Sequence, residues 1–307
     1  MFCQVMVVQK EKLSLFQRWL LAIRPKTLPA SIAPVLVGSA AAFSTGHFRW
    51  IPVLIILLTS VLIQIGANLV NDVVDYNHGT DKEDRLGPMR VTQAGVLTPR
   101  QVWAGAFVVL GASALAGVYL VILGGVPILI TGLACILAAL AYSTGPFPLS
   151  RNGLGDLFAF LLFGILGVCG TAFLVAGFLP PFAWLGGAGV GALVTAILIV
   201  NNIRDMASDR RAGRTNIPIL LGRKGGEIEF AAMLGIAFLS PVFLVLIYQS
   251  TIWVFMCWLS IPAAVTLMRK IHTAPIDQGF NRLLALTAQL LLLYSVLLAA
   301  GFAIGRG

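Results

Sequence analysis

The chain is poor in charge. Only 11% of its 307 residues are Asp, Glu, Lys or Arg, where soluble domains carry about 25%. That shortfall excludes a water-soluble globule of this length. Histidine and cysteine are scarce too, with three and four residues. Cys3, Cys135, Cys169 and Cys257 show no paired spacing, and three of them lie inside apolar runs. Neither a disulfide framework nor a zinc site is indicated. A disordered or fibrous chain is excluded by the opposite excess, since 58% of the residues are apolar and the mean hydropathy is +0.93. What remains is an all-α, polytopic membrane protein.

A helix needs about 20 mostly apolar residues to cross the hydrocarbon core. Nine stretches qualify, at roughly 27–44, 51–71, 102–123, 126–142, 155–177, 183–201, 228–248, 251–268 and 283–304. Ahead of them, Leu13 to Arg24 alternates apolar residues with Gln17, Arg18 and Arg24, the pattern of a short amphipathic helix lying in the interface. Residues 1–307 are therefore expected to form one transmembrane domain, with 1–26 as a cytoplasmic interfacial segment. A signal peptide over residues 1–42 carries little weight, because eight later spans already make the chain polytopic.

Charge tests the count. Threading the nine spans from a cytoplasmic N-terminus puts every one of the 21 Lys and Arg inside except Arg49 and Arg306. That is the positive-inside pattern of a multi-pass protein of the inner (plasma) membrane. The net charge of +9 follows from topology, so nucleic acid need not be invoked.

The acids say more. All twelve Asp and Glu fall on the same cytoplasmic side, which the positive-inside rule does not demand. Asp72, Asp75, Asp81, Glu83 and Asp84 form one cluster, and Asp205 and Asp209 form another. Both begin where an apolar span ends, and both open on one phrase, Asn68-x-x-x-Asp72 and Asn201-x-x-x-Asp205. The two phrases lie 133 residues apart, on the second and sixth spans, which run in the same direction. This reads as a parallel internal repeat about an axis along the membrane normal.

Residues three and four apart share a helix face. Asn68, Asp72 and Asp75 are thus expected together, as are Asn201, Asp205 and Asp209. Several carboxylates at a helix C-terminus, where the dipole is already negative, call for a cation. Hard oxygen ligands suit Mg²⁺, which is usually held by one or two carboxylates and substrate phosphates. Two such clusters face to face would hold metal with a diphosphate between them. Arg85, Arg90, Arg204, Arg210 and Arg214 are near enough in sequence to take the remaining phosphate oxygens. Other charges, among them Glu227, Glu229, Asp277 and Arg100, read as a solvated face. His47, His78 and His272 read as isolated, and Gly187 and Gly191 as helix-packing contacts.

At this point the residues carry a resemblance. Asn71-Asp72-Val73-Val74-Asp75-Tyr76, followed by Gly79-Thr80-Asp81 and Asp84-Arg85-Leu86-Gly87-Pro88, resembles the first aspartate motif of the UbiA superfamily of intramembrane prenyltransferases. Asn201-Asn202-Ile203-Arg204-Asp205, Asp209-Arg210, Ala212-Gly213 and Leu221-Gly222-Arg223 resemble the second. Arg24-Pro25-Lys26-Thr27-Leu28-Pro29-Ala30 resembles the N-terminal signature of the branch that prenylates 1,4-dihydroxy-2-naphthoate in menaquinone synthesis. Tyr142-Ser143-Thr144-Gly145-Pro146, with Pro148-Leu149 and Gly153-Leu154-Gly155-Asp156, resembles that branch's middle loop, which more often has Glu where Asp156 stands. The branch usually carries two consecutive basic residues after the glycine at Gly213. Here the run is Arg214-Thr215-Asn216, one positive charge fewer.

The resemblance implies nine helices around a central cavity, capped by the motif loops. Mg²⁺ would be held by Asn68, Asp72, Asp75 and Asp81 on one side and by Asn201, Asp205 and Asp209 on the other, the four motif aspartates Asp72, Asp75, Asp205 and Asp209 being the catalytic set. The substrates would be a polyprenyl diphosphate and an aromatic acceptor, met within the bilayer, and no obligate protein partner is inferred. Tyr142 and Phe163 are candidates to face the allylic cation. Lys26 and Arg151, with Tyr142, are candidates to bind the acceptor. Other branches of the superfamily use 4-hydroxybenzoate, homogentisate or haem as acceptor. A secondary transporter would also show repeats, but its ionisable residues belong at the membrane midplane rather than at one face.

Overall fold

In a computed structural model, residues 13–77, 86–88, 90–145 and 148–305 are described. The described residues are helical apart from loops and one isolated bridge between Asn152 and Thr215. A short helix, α1 (Leu15–Ile23), opens with a capping box in which Ser14 and Gln17 bond each other's backbone amides. Leu15, Phe16, Leu20 and Leu21 are exposed along it, as an interfacial helix requires. Arg24, with φ +55°, ends α1; after a single turn at Pro25–Thr27 the chain bends by 52° into α2 (Pro29–Ser44).

Then follow α3 (Trp50–Asn77), α4 (Pro99–Ala141), α5 (Gly155–Ala176), α6 (Ala183–Arg211), α7 (Ile217–Tyr248), α8 (Ile252–Thr273) and α9 (Phe280–Ile304), each long and apolar enough to cross a membrane. The 43 residues of α4 would reach about 64 Å if straight, twice the hydrocarbon thickness. Gly125 breaks it, with φ +68° and ψ −155°, and Pro127 follows. The two arms are the expected third and fourth spans. With α2 they bring the described residues to nine spans.

Helix ends depart from hydropathy where the motifs lie. The apolar runs stop near 71 and 201, yet α3 continues to Asn77 and α6 to Arg211. Helices of 28 and 29 residues reach about 42 Å, some 12 Å beyond a 30 Å core. Their last turns therefore stand at one membrane face and carry the Asn and Asp side chains there. Likewise α7 begins at Ile217, well before the apolar run at 228, with a break at Gly222 (φ +72°).

That early start corrects the reading of Glu227 as a solvated loop charge. It is buried on α7, accepts from Arg223 Nε at 2.9 Å and lies 2.9 Å from His272 Nδ1. Arg223 in turn donates to the carbonyls of Ile271, His272 and Ala274, closing the C-terminus of α8. His272 is therefore not isolated.

The core centres on α6, the most buried span. Its glycine-rich start lets α5 approach backbone to backbone. A Cβ on Gly164 would meet Gly191 Cα at 2.5 Å and Gly187 O at 2.6 Å, so Gly187 and Gly191 are packing residues, as expected. The contact falls where α5 widens into a π-helical stretch at Phe160–Leu166. On the far side of α6, Tyr294 of α9 donates to Ala237 O of α7 at 2.8 Å and meets Ser240 Oγ at 2.9 Å, satisfying a buried phenol. The helices α2 to α6 line a cavity of about 680 Å³.

Candidate active site at one end of the bundle

The first motif occupies the last turns of α3. Asp72, only 1% exposed, accepts from the backbone amides of Val91 at 3.1 Å and Thr92 at 3.0 Å, and from Arg24 Nη2 at 3.3 Å. It thereby ties the α3–α4 connection and the N-terminal linker to the helix end. Asn68 donates to Ile23 O at 2.9 Å and Thr27 Oγ1 at 2.8 Å, fastening the same linker. Asn71 accepts from Ser143 Oγ at 2.5 Å. Asp75 receives Arg90 Nη2 on one oxygen and Arg214 Nη2 on the other, the latter at 2.6 Å.

The second motif ends α6. Arg204 folds back onto Asp205 as a fork, Nε to Oδ1 at 2.8 Å and Nη2 to Oδ2 at 2.6 Å. The same guanidinium reaches Asn201 Oδ1 at 2.7 Å and Asn281 Oδ1 of α9 at 2.8 Å, while Asn281 Nδ2 donates to Leu86 O at 2.8 Å. Asn202 Nδ2 donates to Asp156 Oδ1 at 3.3 Å. The helix closes in a Schellman motif, with Gly213 N to Arg210 O at 3.2 Å and Arg214 N to Asp209 O at 3.0 Å. Gly213 supplies the left-handed φ of +68° that this cap demands. The turn throws the Arg214 side chain back over the helix end, where Nη1 meets Asp209 Oδ1 at 3.3 Å.

Arg214 thus bridges the two motifs, holding Asp75 of α3 and Asp209 of α6 at once. Burial alone would lower its guanidinium pKa, but the charges of Asp75 and then Asp209 overcome this and hold it above the ordinary value. The next residue, Thr215, pairs by its backbone amide with Arg151 O at 2.9 Å, joining this loop to the middle loop.

The bridge sits at the polar end of the cavity, together with Asn68, Asn71, Asn201 and Arg90. The rest of the wall is apolar, including Ile56, Leu120, Ile128, Leu162 and Leu174. From Phe158 to Leu174 the cavity follows α5 for 17 residues, about 24 Å from first to last. A charged mouth over a long apolar bore suits an amphiphile with an anionic head.

Of the residues expected at the site, Asn68, Asp75, Asn201, Asp209, Arg90, Arg214, Tyr142 and Phe163 line this cavity. Asp72, Asp205 and Arg204 are buried beside it, committed to the bonds above. Arg210 is exposed and donates to Ile219 O at 3.1 Å. Lys26 is exposed, and neither it nor Arg151 is on the cavity wall. Asp81 and Arg85 lie outside the described residues. Four participants were not singled out as site residues: Arg24, Asn71, Asn202 and Asn281. The first three stand inside quoted motifs, whereas nothing in the hydropathy of the last span marks Asn281.

Among the described residues no three His, Cys, Asp or Glu side chains converge. Mg²⁺ does not require that, since it is usually bound by one or two carboxylates with substrate phosphates. Asp75 and Asp209, with asparagine oxygens on the same wall, form such a hard-oxygen set, and a cationic group already lies between them. Arg214 Nε is buried without a hydrogen-bond partner, an orphaned donor suited to an anion. The residues fit a metal–diphosphate pair.

Residues 31–278 match the UbiA prenyltransferase family. The chain belongs to that family. Among UbiA relatives, the 1,4-dihydroxy-2-naphthoate octaprenyltransferase of Escherichia coli (strain K12) is 37% identical over 231 residues, covering 73% of this chain and 75% of that protein. The protein of the same name from Mycobacterium tuberculosis is 32% identical over 297 residues, covering 95% and 98%. In fold, the chain is similar to a UbiA homolog from Archaeoglobus fulgidus solved bound to DMAPP and Mg²⁺, with a TM-score of 0.66 at 14% identity, over 92% of this chain and 99% of that one.

Proposed function

We propose that this UbiA-family protein transfers a polyprenyl group from polyprenyl diphosphate to 1,4-dihydroxy-2-naphthoate, with loss of diphosphate and CO₂, giving demethylmenaquinol at the cytoplasmic face of the plasma membrane. The observation that carries the reading is the Asp75–Arg214–Asp209 bridge at the mouth of a long apolar cavity. The names of the relatives from E. coli and M. tuberculosis supply the acceptor.

The division of labour follows from the wall. The bore beneath the bridge takes the isoprenoid tail and excludes water. Arg214 and Arg90 grip the diphosphate by charge-assisted bonds. Asp75 and Asp209 are the first metal ligands, with Asn68 and Asn201 beside them. Asp72 and Asp205 hold the flanking loops and Arg204 in register, and Asp81 would join from the first loop. When bound, Mg²⁺ neutralises the diphosphate as it leaves.

The allylic C–O bond breaks with its electron pair going to diphosphate. Tyr142 and Phe163 border the resulting cation and offer ring faces in a dry setting. The naphthoate carbon bearing the carboxylate attacks. The carboxylate leaves as CO₂, and its bonding pair restores the aromatic ring. Arg24 is the cation on the cavity wall best placed to orient the acceptor carboxylate, whereas Lys26 and Arg151 would have to turn inward.

Membranes containing the protein should convert the naphthoate with a polyprenyl diphosphate, stop with EDTA and resume with Mg²⁺ or Mn²⁺. Conversion of 4-hydroxybenzoate or homogentisate with no reaction of the naphthoate would overturn the acceptor while sparing the diphosphate chemistry.

A further inference from the structure

Each described carboxylate of the two aspartate motifs is already matched by a guanidinium: Asp72 by Arg24, Asp75 by Arg90 and Arg214, Asp205 by Arg204, and Asp209 by Arg214. Arg214 spans both motifs. Its two terminal nitrogens are spent on Asp75 at 2.6 Å and Asp209 at 3.3 Å, carboxylates that would hold metal. Its third nitrogen, Nε, is buried with no partner. The residue stands in a loop, one place beyond the Gly213 cap, so its side chain can turn without unwinding α6.

Charge decides what may enter. Asp75 and Asp209 carry two negative charges, and the guanidiniums of Arg90 and Arg214 lie against them. The side chains of Asp75 and Asp209 are 5% and 10% exposed, and that of Arg214 is 17% exposed. In such a poorly solvated place an uncompensated divalent cation is unfavourable, and so is a bare diphosphate beside two carboxylates. The two together nearly cancel. A metal arriving with diphosphate can take the carboxylates while the guanidinium moves to the phosphate oxygens and gives Nε an acceptor.

We propose that Arg214 is an exchangeable placeholder: it occupies the metal's carboxylates in the substrate-free protein and hands them over only when metal and diphosphate arrive together. This rests on the metal–diphosphate reading above and adds the coupling between the two ligands. It assigns Arg214 two successive sets of partners. It also makes the protein a poor binder of Mg²⁺ alone.

The test uses the full chain in detergent or nanodiscs, Mn²⁺ as the metal and inorganic pyrophosphate as the anion. Bound Mn²⁺ is read by electron paramagnetic resonance, and folding by thermal melting. Wild type should bind Mn²⁺ weakly alone and roughly ten- to a hundredfold more tightly with pyrophosphate, a coupling within the usual range for linked sites. Arg214→Gln should bind Mn²⁺ alone about tenfold more tightly than wild type and lose most of the coupling. Arg214→Lys, which keeps the charge but loses the fork, should lie between them.

If folded Arg214→Gln and Arg214→Lys both bind Mn²⁺ alone no better than wild type, the placeholder is refuted. Tight Mn²⁺ binding by the wild type without pyrophosphate would refute it equally. Failure of the underlying reading looks different: Mn²⁺ would not bind even with pyrophosphate, and Asp75→Asn would leave binding and prenyl transfer unchanged.

Discussion

At the residue scale, Asp72 and Asp75, the two described aspartates of the first motif, keep different partners, and substitution should separate them. Asp75 faces the cavity, with Arg90 and Arg214 on its oxygens. Asp75→Asn should abolish most prenyl transfer, and Asp209→Asn should behave alike. Asp72 accepts two backbone amides and Arg24, bonds to a charged group worth about 1.5–3 kcal/mol each. Asp72→Asn should therefore lower the melting temperature together with activity. An Asp72→Asn protein that melts normally but is inactive would place Asp72 among the direct ligands instead. The spacing rule foresaw a shared face, and Asn68 and Asp75 do share the cavity wall. It could not foresee that Asp72, on the same helix stripe, turns to a loop about 20 residues away. Nor could any local rule pair Asp75 with Arg214, since that contact depends on α3 and α6 ending side by side.

At the scale of elements, two glycines should resist replacement. Gly125 breaks α4 at φ +68° and ψ −155°, a region essentially only glycine adopts, so Gly125→Ala should destabilise by about 1–3 kcal/mol. At Gly164 a Cβ would strike the backbone of Gly191 at 2.5 Å. Gly164→Val should part α5 from α6 at a cost of about 1–3 kcal/mol or more, seen as a lower melting temperature in detergent. Wild-type melting of either variant would contradict the packing described. The number and order of spans were legible because a bilayer imposes a length of apolar residues on each. The ends were not, since α3, α6 and α7 run past their apolar stretches into polar helix. Arg49 shows the same limit. As an exception to the inside bias it was only a misplaced charge, yet it donates to Leu174 O at 2.7 Å and Val175 O at 3.2 Å, closing the C-terminus of α5.

At the scale of the whole molecule, the two motifs end their helices at one end of the bundle, which is the arrangement an enzyme at a membrane face needs. Acids at one face also speak against a transporter with its site at the midplane. If that end is cytoplasmic, reporters fused after Thr92 or Arg214 should read as cytoplasmic and one inserted near Gln249 as external. A cytoplasmic signal at Gln249 would break the nine-span threading. The chemistry itself is tested most directly by the fate of the acceptor's carboxyl group. 1,4-Dihydroxy-2-naphthoate labelled at the carboxyl carbon, given to membranes with polyprenyl diphosphate and Mg²⁺, should release labelled CO₂ one-to-one with prenylated product. Prenylated product that retains the label, or no product from the naphthoate at all, would contradict the proposed reaction.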